Sequence, residues 1–271
     1  MNKIHILGLL GALAALISNT TKDCFAMQTH EKIPDSVKSV TVKPPIALGY
    51  HLTFEDEFKG THLDTNKWID SYPGGVRTHS NNEQEYYSPQ GYSVRNGHLI
   101  LIARKQEMDG MPYTSGMVAS YGKFQQEYGW FEIRAKFPAG KGYWPAFWLL
   151  PVDGSWPPEI DVLEILGNEP DKVYMTNHYV GESGDHQGDG DSFQGPDFAK
   201  GFHTFAVQWT PTKLTWYVDG IERFQTTQHI PHQPMYVIAN LAVGGSWPGM
   251  PDSATQFPGE MIIDYIRVYQ K

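Results

Sequence analysis

The chain has 271 residues, 13% of them aromatic, with 27 glycines, 19 prolines and a formal net charge of −9. That charge argues against nucleic acid or an anionic membrane surface as a partner, and it disfavours a strongly anionic polysaccharide. Cys24 is the single cysteine, so a disulfide framework and a thiolate metal site are excluded.

Residues 1–26, MNKIHILGLLGALAALISNTTKDCFA, carry a lysine near the start, the apolar run Ile6 to Ile17, and small residues at Cys24 and Ala26. They are expected to be a signal peptide, with an apolar core too short to span a membrane. The protein is therefore expected to be secreted or periplasmic. Residues 27–48 hold scattered charge, Pro34 and Pro44-Pro45, and read as a linker or N-terminal arm. From residue 49 to 271 the texture is even and without repeats, which is one domain, expected to be a monomer.

Within that domain alternating segments dominate. HLILIARK (98–105), GWFEIRAKF (129–137), TFAVQWT (204–210), KLTWYVDG (213–220), MYVIANLAV (235–243) and MIIDYIRVY (261–269) all read as strands. Asp219-Gly220 marks a two-residue hairpin, and Asn96-Gly97 another turn. Short strands with many glycines and prolines, and no strand–helix alternation, point to an antiparallel β-sandwich. A short helix has room only near 61–68 or 195–202.

Tryptophan falls in polar, Gly- and Pro-rich surroundings at KGYWPAFW (141–148), GSWPPE (154–159) and GGSWPG (244–249). Flat aromatic faces displayed beside glycine and proline suit stacking against pyranose rings. Three such segments favour a carbohydrate cleft over simple core filling.

WPPEIDVLEILG (156–167) places Glu159, Asp161 and Glu164 among strand-forming apolar residues. In a regular strand Glu159 and Asp161 share a face and Glu164 takes the other. One β-bulge between Asp161 and Glu164 would bring all three to one side. The two glutamate Cα atoms would then stand about 13 Å apart at ~3.3 Å per residue, and side chains leaning together could close most of that gap. Cleavage of a glycosidic bond needs one protonated and one ionised carboxyl group, and crowding of like charge keeps one protonated. A calcium site, a solvated strand face and a buried ion-pair network are the competing uses of such a cluster. Catalysis is favoured because the neighbouring WPAFWLLP (144–151) makes a solvated strand a poor fit.

EIDVLEILG resembles the active-site strand of glycoside hydrolase family 16 in its bulged form. Further stretches agree in order: FEDEFKGTHLDTNKW (54–68), NNEQEYY (81–87), NGHLILIARK (96–105), YGWFEIRAKFPAGKGYWPAFWLLP (128–151), KGFHTFAVQWTPTKLTWYVDG (200–220), NLAVGGSWPG (240–249) and FPGEMIIDYIRVY (257–269). The resemblance implies an all-β jelly-roll sandwich of two antiparallel sheets, a concave substrate cleft, and retaining endo-hydrolysis of a β-linked polysaccharide. It implies Glu159 as nucleophile, Glu164 as acid/base and Asp161 as the assisting carboxylate. It places Trp156, Trp144, Trp148, His178, Asn82 and Trp247 along the sugar subsites. No cofactor is implied for catalysis, but a structural calcium held by Gly97, Asp264 and Glu57 is.

GDHQGDGDS (184–192) is a rival calcium segment that reads better as a solvated glycine-rich loop. One departure bears on substrate: where many family members that cut β-1,3-glucan carry an arginine after Ser-Gly, this chain has Met117. The expected substrate is β-1,3- or mixed β-1,3/1,4-glucan. A bacterial exopolysaccharide and transglycosylation by the same residues remain open, as does, less favoured, a non-catalytic glucan-binding module.

Overall fold

The computed structural model describes residues 45–271. The expected signal peptide and the arm up to residue 44 lie outside them. The last four residues of that arm, Pro45–Leu48, form a short 3-10 turn. Its Leu48 packs against the cluster of Tyr50, Trp130, Ala206, Tyr217 and Tyr269.

In chain order the strands are β1 (His51–Asp56), β2 (Glu85–Tyr87), β3 (Tyr92–Arg95), β4 (His98–Ala103), β5 (Tyr113–Ser115), β6 (Met117–Ala119), β7 (Gly129–Lys136) and β8 (Tyr143–Pro151). There follow β9 (Glu159–Ile165), β10 (Lys172–Val180), β11 (His186–Gln194), β12 (His203–Thr210), β13 (Lys213–Val218), β14 (Ile221–Thr226), β15 (Met235–Val243) and β16 (Gly259–Gln270). One sheet runs β14-β13-β12-β7-β16-β4-β3, with β1 also paired to β16; the other runs β11-β10-β9-β8-β15-β6. Pairing within both is antiparallel, as expected, while the small β2–β5 pair is parallel.

Alternation explains the layering. Phe131, Ile133 and Ala135 of β7, Trp209 of β12, and Ile263, Ile266 and Val268 of β16 face Phe147 and Leu149 of β8, Ile160 of β9 and Val237 of β15 in one core. Each such large side chain contributes about 1.5–3 kcal/mol by leaving water. Asp219 and Gly220 have φ of 51° and 70°, the left-handed pair that a two-residue hairpin between β13 and β14 requires.

Two expectations change. The segments 61–68 and 195–202 form turns and bends, and no α-helix forms among the described residues. The glycine-rich stretch around 184–192, expected as a loop, supplies most of β11, the edge strand beside β10. Its glycines let the backbones approach: a Cβ on Gly190 would lie 2.5 Å from the Met175 carbonyl oxygen.

Candidate active site

The outer face of the six-stranded sheet carries a cavity of about 340 Å³, lined among others by Tyr72, His79, Glu83, Trp144, Trp148, Trp156, Glu159, Asp161, Glu164 and Asn240. The bulge expected in β9 is present. Trp148 pairs with Asp161 and Phe147 with Leu163, so Val162 is the extra residue; on the other side Met175 alone spans Val162 and Leu163. Val162 and Leu163 consequently both reach the core, and Glu159, Asp161 and Glu164 all line the cavity.

The two glutamates each accept from an indole, and Asp161 lies beside an imidazole. Trp156 Nε1 donates to Glu159 Oε2 at 2.8 Å, and Trp144 Nε1 donates to Glu164 Oε1 at 3.0 Å. His178 Nε2 lies 2.9 Å from Asp161 Oδ2 and 3.7 Å from Glu159 Oε1. Arginine and lysine are missing from the lining. Burial, and next the charge of Asp161, push Glu159 up to about 8, and burial pushes Asp161 up to about 7. Glu164 is raised well above the usual carboxylate range, by burial first and then by the charge of Asp161. These groups titrate together. An indole and His178 favour the charged form of both glutamates, but Glu164 also feels the charges of both other acids.

The remaining expected residues fall into place unevenly. Trp144 and Trp148, expected in displayed loops, stand on β8, whose residues Trp144, Ala146, Trp148 and Leu150 alternate into the cavity while Phe147 and Leu149 enter the core. Trp148 Nε1 donates to Asn240 Oδ1 at 2.8 Å. Trp156 is 55% exposed, free to present a face to a ligand. Trp247 meets the edges of Trp144 and Tyr174, with centroids 5.5 and 4.7 Å away. His178 lies buried behind the acids. Asn82 does not line the cavity; its amide donates to Ser246 Oγ at 2.7 Å, and the neighbouring Asn81 faces the cavity instead. At a tight turn with Asn82 at φ 58°, adjacent side chains diverge, and the Asn81-Asn82 doublet does not tell which one turns inward.

The two carboxylates expected to hold calcium are each paired with an arginine. Glu57 Oε1 accepts from Arg267 Nε at 2.7 Å, while Asp264 Oδ2 accepts from Arg134 at 2.5 Å and its Oδ1 lies 3.3 Å from His98 Nδ1. Calcium takes six to eight oxygen donors, and both carboxylates here are engaged by guanidinium groups. Gly97 sits in the β3–β4 turn with φ 76°. These residues, so arranged, do not fit calcium. Glu159, Asp161 and His178 also offer ligand atoms within 4.8 Å of one another, with His178 Nε2 itself 2.9 Å from Asp161 Oδ2.

Sequence reasoning missed a second polar group on the cavity wall. His79 Nδ1 lies 3.3 Å from Glu83 Oε1; Tyr87 donates to Glu83 and accepts from Asn240. Glu85, fully buried behind them, accepts the Val243 N–H at 2.7 Å. The available signal was the run Glu83, Glu85 and Tyr87, three polar residues at strand spacing in a segment too aromatic to be a plain loop.

The sequence model of glycosyl hydrolases family 16 matches residues 79–267. Endo-1,3-1,4-beta-glycanase ExsH of Rhizobium meliloti (strain 1021) is 38% identical over 94% of this chain and 57% of its own length. A second glycanase of that organism, EglC, is 36% identical over 80% of this chain and 51% of its own length. The chain thus spans little more than half of these two relatives. The beta-glucanase of Rhodothermus marinus is 36% identical over 82% of this chain and 85% of its own length. Among solved structures, the laminarinase catalytic domain of Thermotoga maritima MSB8 superposes with a TM-score of 0.75 at 36% identity, covering 82% of this chain and 98% of that one.

Proposed function

Since the chain belongs to glycosyl hydrolases family 16, we propose that it is a retaining endo-β-glycanase that cuts internal β-1,3 or mixed β-1,3/1,4-glucan linkages. The observation that carries this reading is the bulged strand β9, which sets Glu159, Asp161 and Glu164 on one cavity wall beside Trp144, Trp148 and Trp156. In the proposed mechanism the protonated Glu164 gives its proton to the leaving glycosidic oxygen as Glu159 attacks the anomeric carbon. Glu164, now ionised, takes a proton from water, which attacks the glycosyl–Glu159 ester and releases a sugar of unchanged configuration. Asp161 adds negative charge beside the nucleophile and is itself held by His178.

The similarity to ExsH, an endo-1,3-1,4-beta-glycanase, to the Rhodothermus beta-glucanase and to the Thermotoga laminarinase supports a β-1,3- or mixed β-1,3/1,4-glucan as the substrate. Met117, where many family members that cut β-1,3-glucan carry an arginine, is 1% exposed and packs in one cluster with Trp148 and Tyr236. The missing guanidinium favours the mixed-linkage or exopolysaccharide side of the expectation. Proton NMR of the first products from laminarin and lichenan is expected to show retained anomers, and Glu159→Ala to give a folded protein without measurable cleavage. Inverted first products would remove the covalent step.

A further inference from the structure

One imidazole in contact with Trp156 and His178 has no part in the chemistry described above. His186 opens β11, two pairs along from Gly188, which sits directly opposite His178 of β10. His186 Nε2 lies 2.8 Å from His178 Nδ1, with the two ring centroids 4.9 Å apart. Its ring is also 4.6 Å from that of Trp156, whose N–H is bound to Glu159. His186 therefore touches both residues that hold the nucleophile and its assistant.

We propose that His186 is a positioning residue that holds His178 in the tautomer with its proton on Nε2, directed at Asp161. An ionised carboxylate only accepts, so the 2.9 Å approach of His178 Nε2 to Asp161 Oδ2 is favourable only with a proton on that nitrogen. A neutral His178 then presents Nδ1 as an acceptor, and His186 Nε2–H is the donor that meets it. The bond on one ring nitrogen fixes which proton the other can offer. Gly188 is part of the arrangement: a Cβ there would lie 3.4 Å from His178 Nδ1, crowding the edge that His186 reaches diagonally across the hairpin.

The kinetic consequence rests on the glycosidase reading; the tautomer does not. The test compares His186→Phe, which keeps a ring against Trp156 but lacks the N–H, with His186→Gln, whose amide N–H has similar reach. In nitrogen-15 spectra, His178 of the wild type is expected to carry its proton on Nε2, and His186→Phe to lose that preference. On lichenan, His186→Phe should lower kcat about tenfold with KM within about twofold, and His186→Gln should recover most of it. In a His178→Ala background the His186→Phe change should have no further effect. Wild-type kcat in His186→Phe, an unaltered His178 tautomer, or an equal loss in the His178→Ala background would each overturn the proposal. Should the wild type cleave no β-glucan, the function proposed above fails, and the nitrogen spectra alone decide the role of His186.

Discussion

The two outer faces of the sandwich handle carboxylates in opposite ways. On the eight-stranded sheet Asp264 is paired with Arg134, Glu260 with Arg95, and Glu57, just beyond β1, with Arg267. On the six-stranded sheet Glu159, Asp161 and Glu164 are more deeply buried, yet they meet two indoles and an imidazole, with no arginine or lysine along the cavity. A guanidinium supplies charge as well as hydrogen bonds and holds a carboxylate ionised. An indole supplies only the hydrogen bond and leaves the cost of a buried charge largely uncompensated. The absence of a strong cation is what lets the acids of the cavity rise toward and past neutrality while one of them stays protonated. On the proposed mechanism, stability is given up on that face to obtain a proton donor.

The largest expected effect comes from removing that donor. Glu164→Gln keeps an oxygen for the Trp144 N–H but cannot pass a proton, so kcat should fall on the order of 10⁴-fold. In the wild type the rate should rise toward weakly alkaline pH, as the Glu159–Asp161 pair, pushed up to about 8 and 7, loses its proton. It should fall again at higher pH, where Glu164 ionises. The alkaline fall should vanish from the residual rate of Glu164→Gln, and the melting temperature should rise because one of three crowded acids is gone. A variant less stable than the wild type would contradict the contrast between the two faces.

Much of this arrangement was legible in the sequence, for reasons that are local. Strands such as Met261–Tyr269 declare themselves because one face is buried and period-2 alternation follows. The bulge was legible because Glu159, Asp161 and Glu164 cannot share a face without it. What escaped depends on segments far apart in the chain. His186 reaches His178 only through the β10–β11 hairpin, and GDHQGDGDS lacks the β-branched and aromatic residues that signal a strand. The two acids expected to bind calcium were captured by Arg134 and Arg267, which come from other positions on the sheet. Trp144 and Trp148 were placed in a loop because Gly140, Gly142 and Pro145 around them look like loop residues, although β8 runs through Pro145.

Glu85 sharpens the comparison as the most deeply buried acid on the cavity side. Burial, and next the charge of Glu83, raise it well above the ordinary value of 4.5. Its contribution to stability is therefore complete below about pH 4.5 and is lost as pH rises toward the folded value, at up to about 1.4 kcal/mol per pH unit. Glu83, bound by His79, is shifted the other way and keeps its charge. Glu85→Gln preserves an acceptor for Val243 N–H and should flatten the fall in melting temperature between pH 5 and 8. An unchanged slope would mean that Glu85 is ionised in the folded protein.

The smallest effect is expected on the arginine-paired face. Arg267 holds Glu57 through Nε and NH2 and lies over the ring of Tyr265 at 3.8 Å. Both charged side chains of the pair keep part of their surface in water, 31% and 25%, so solvent screens the attraction. Arg267→Ala should therefore cost no more than about 1 kcal/mol in denaturant unfolding, part of it lost packing on Tyr265. Its kcat should match the wild type, because Arg267 stands on the outer face of the opposite sheet, across the whole core from Glu159. A loss of rate with little loss of stability would mean that β16 and the cleft strands move together, and the two faces could then no longer be treated as independent.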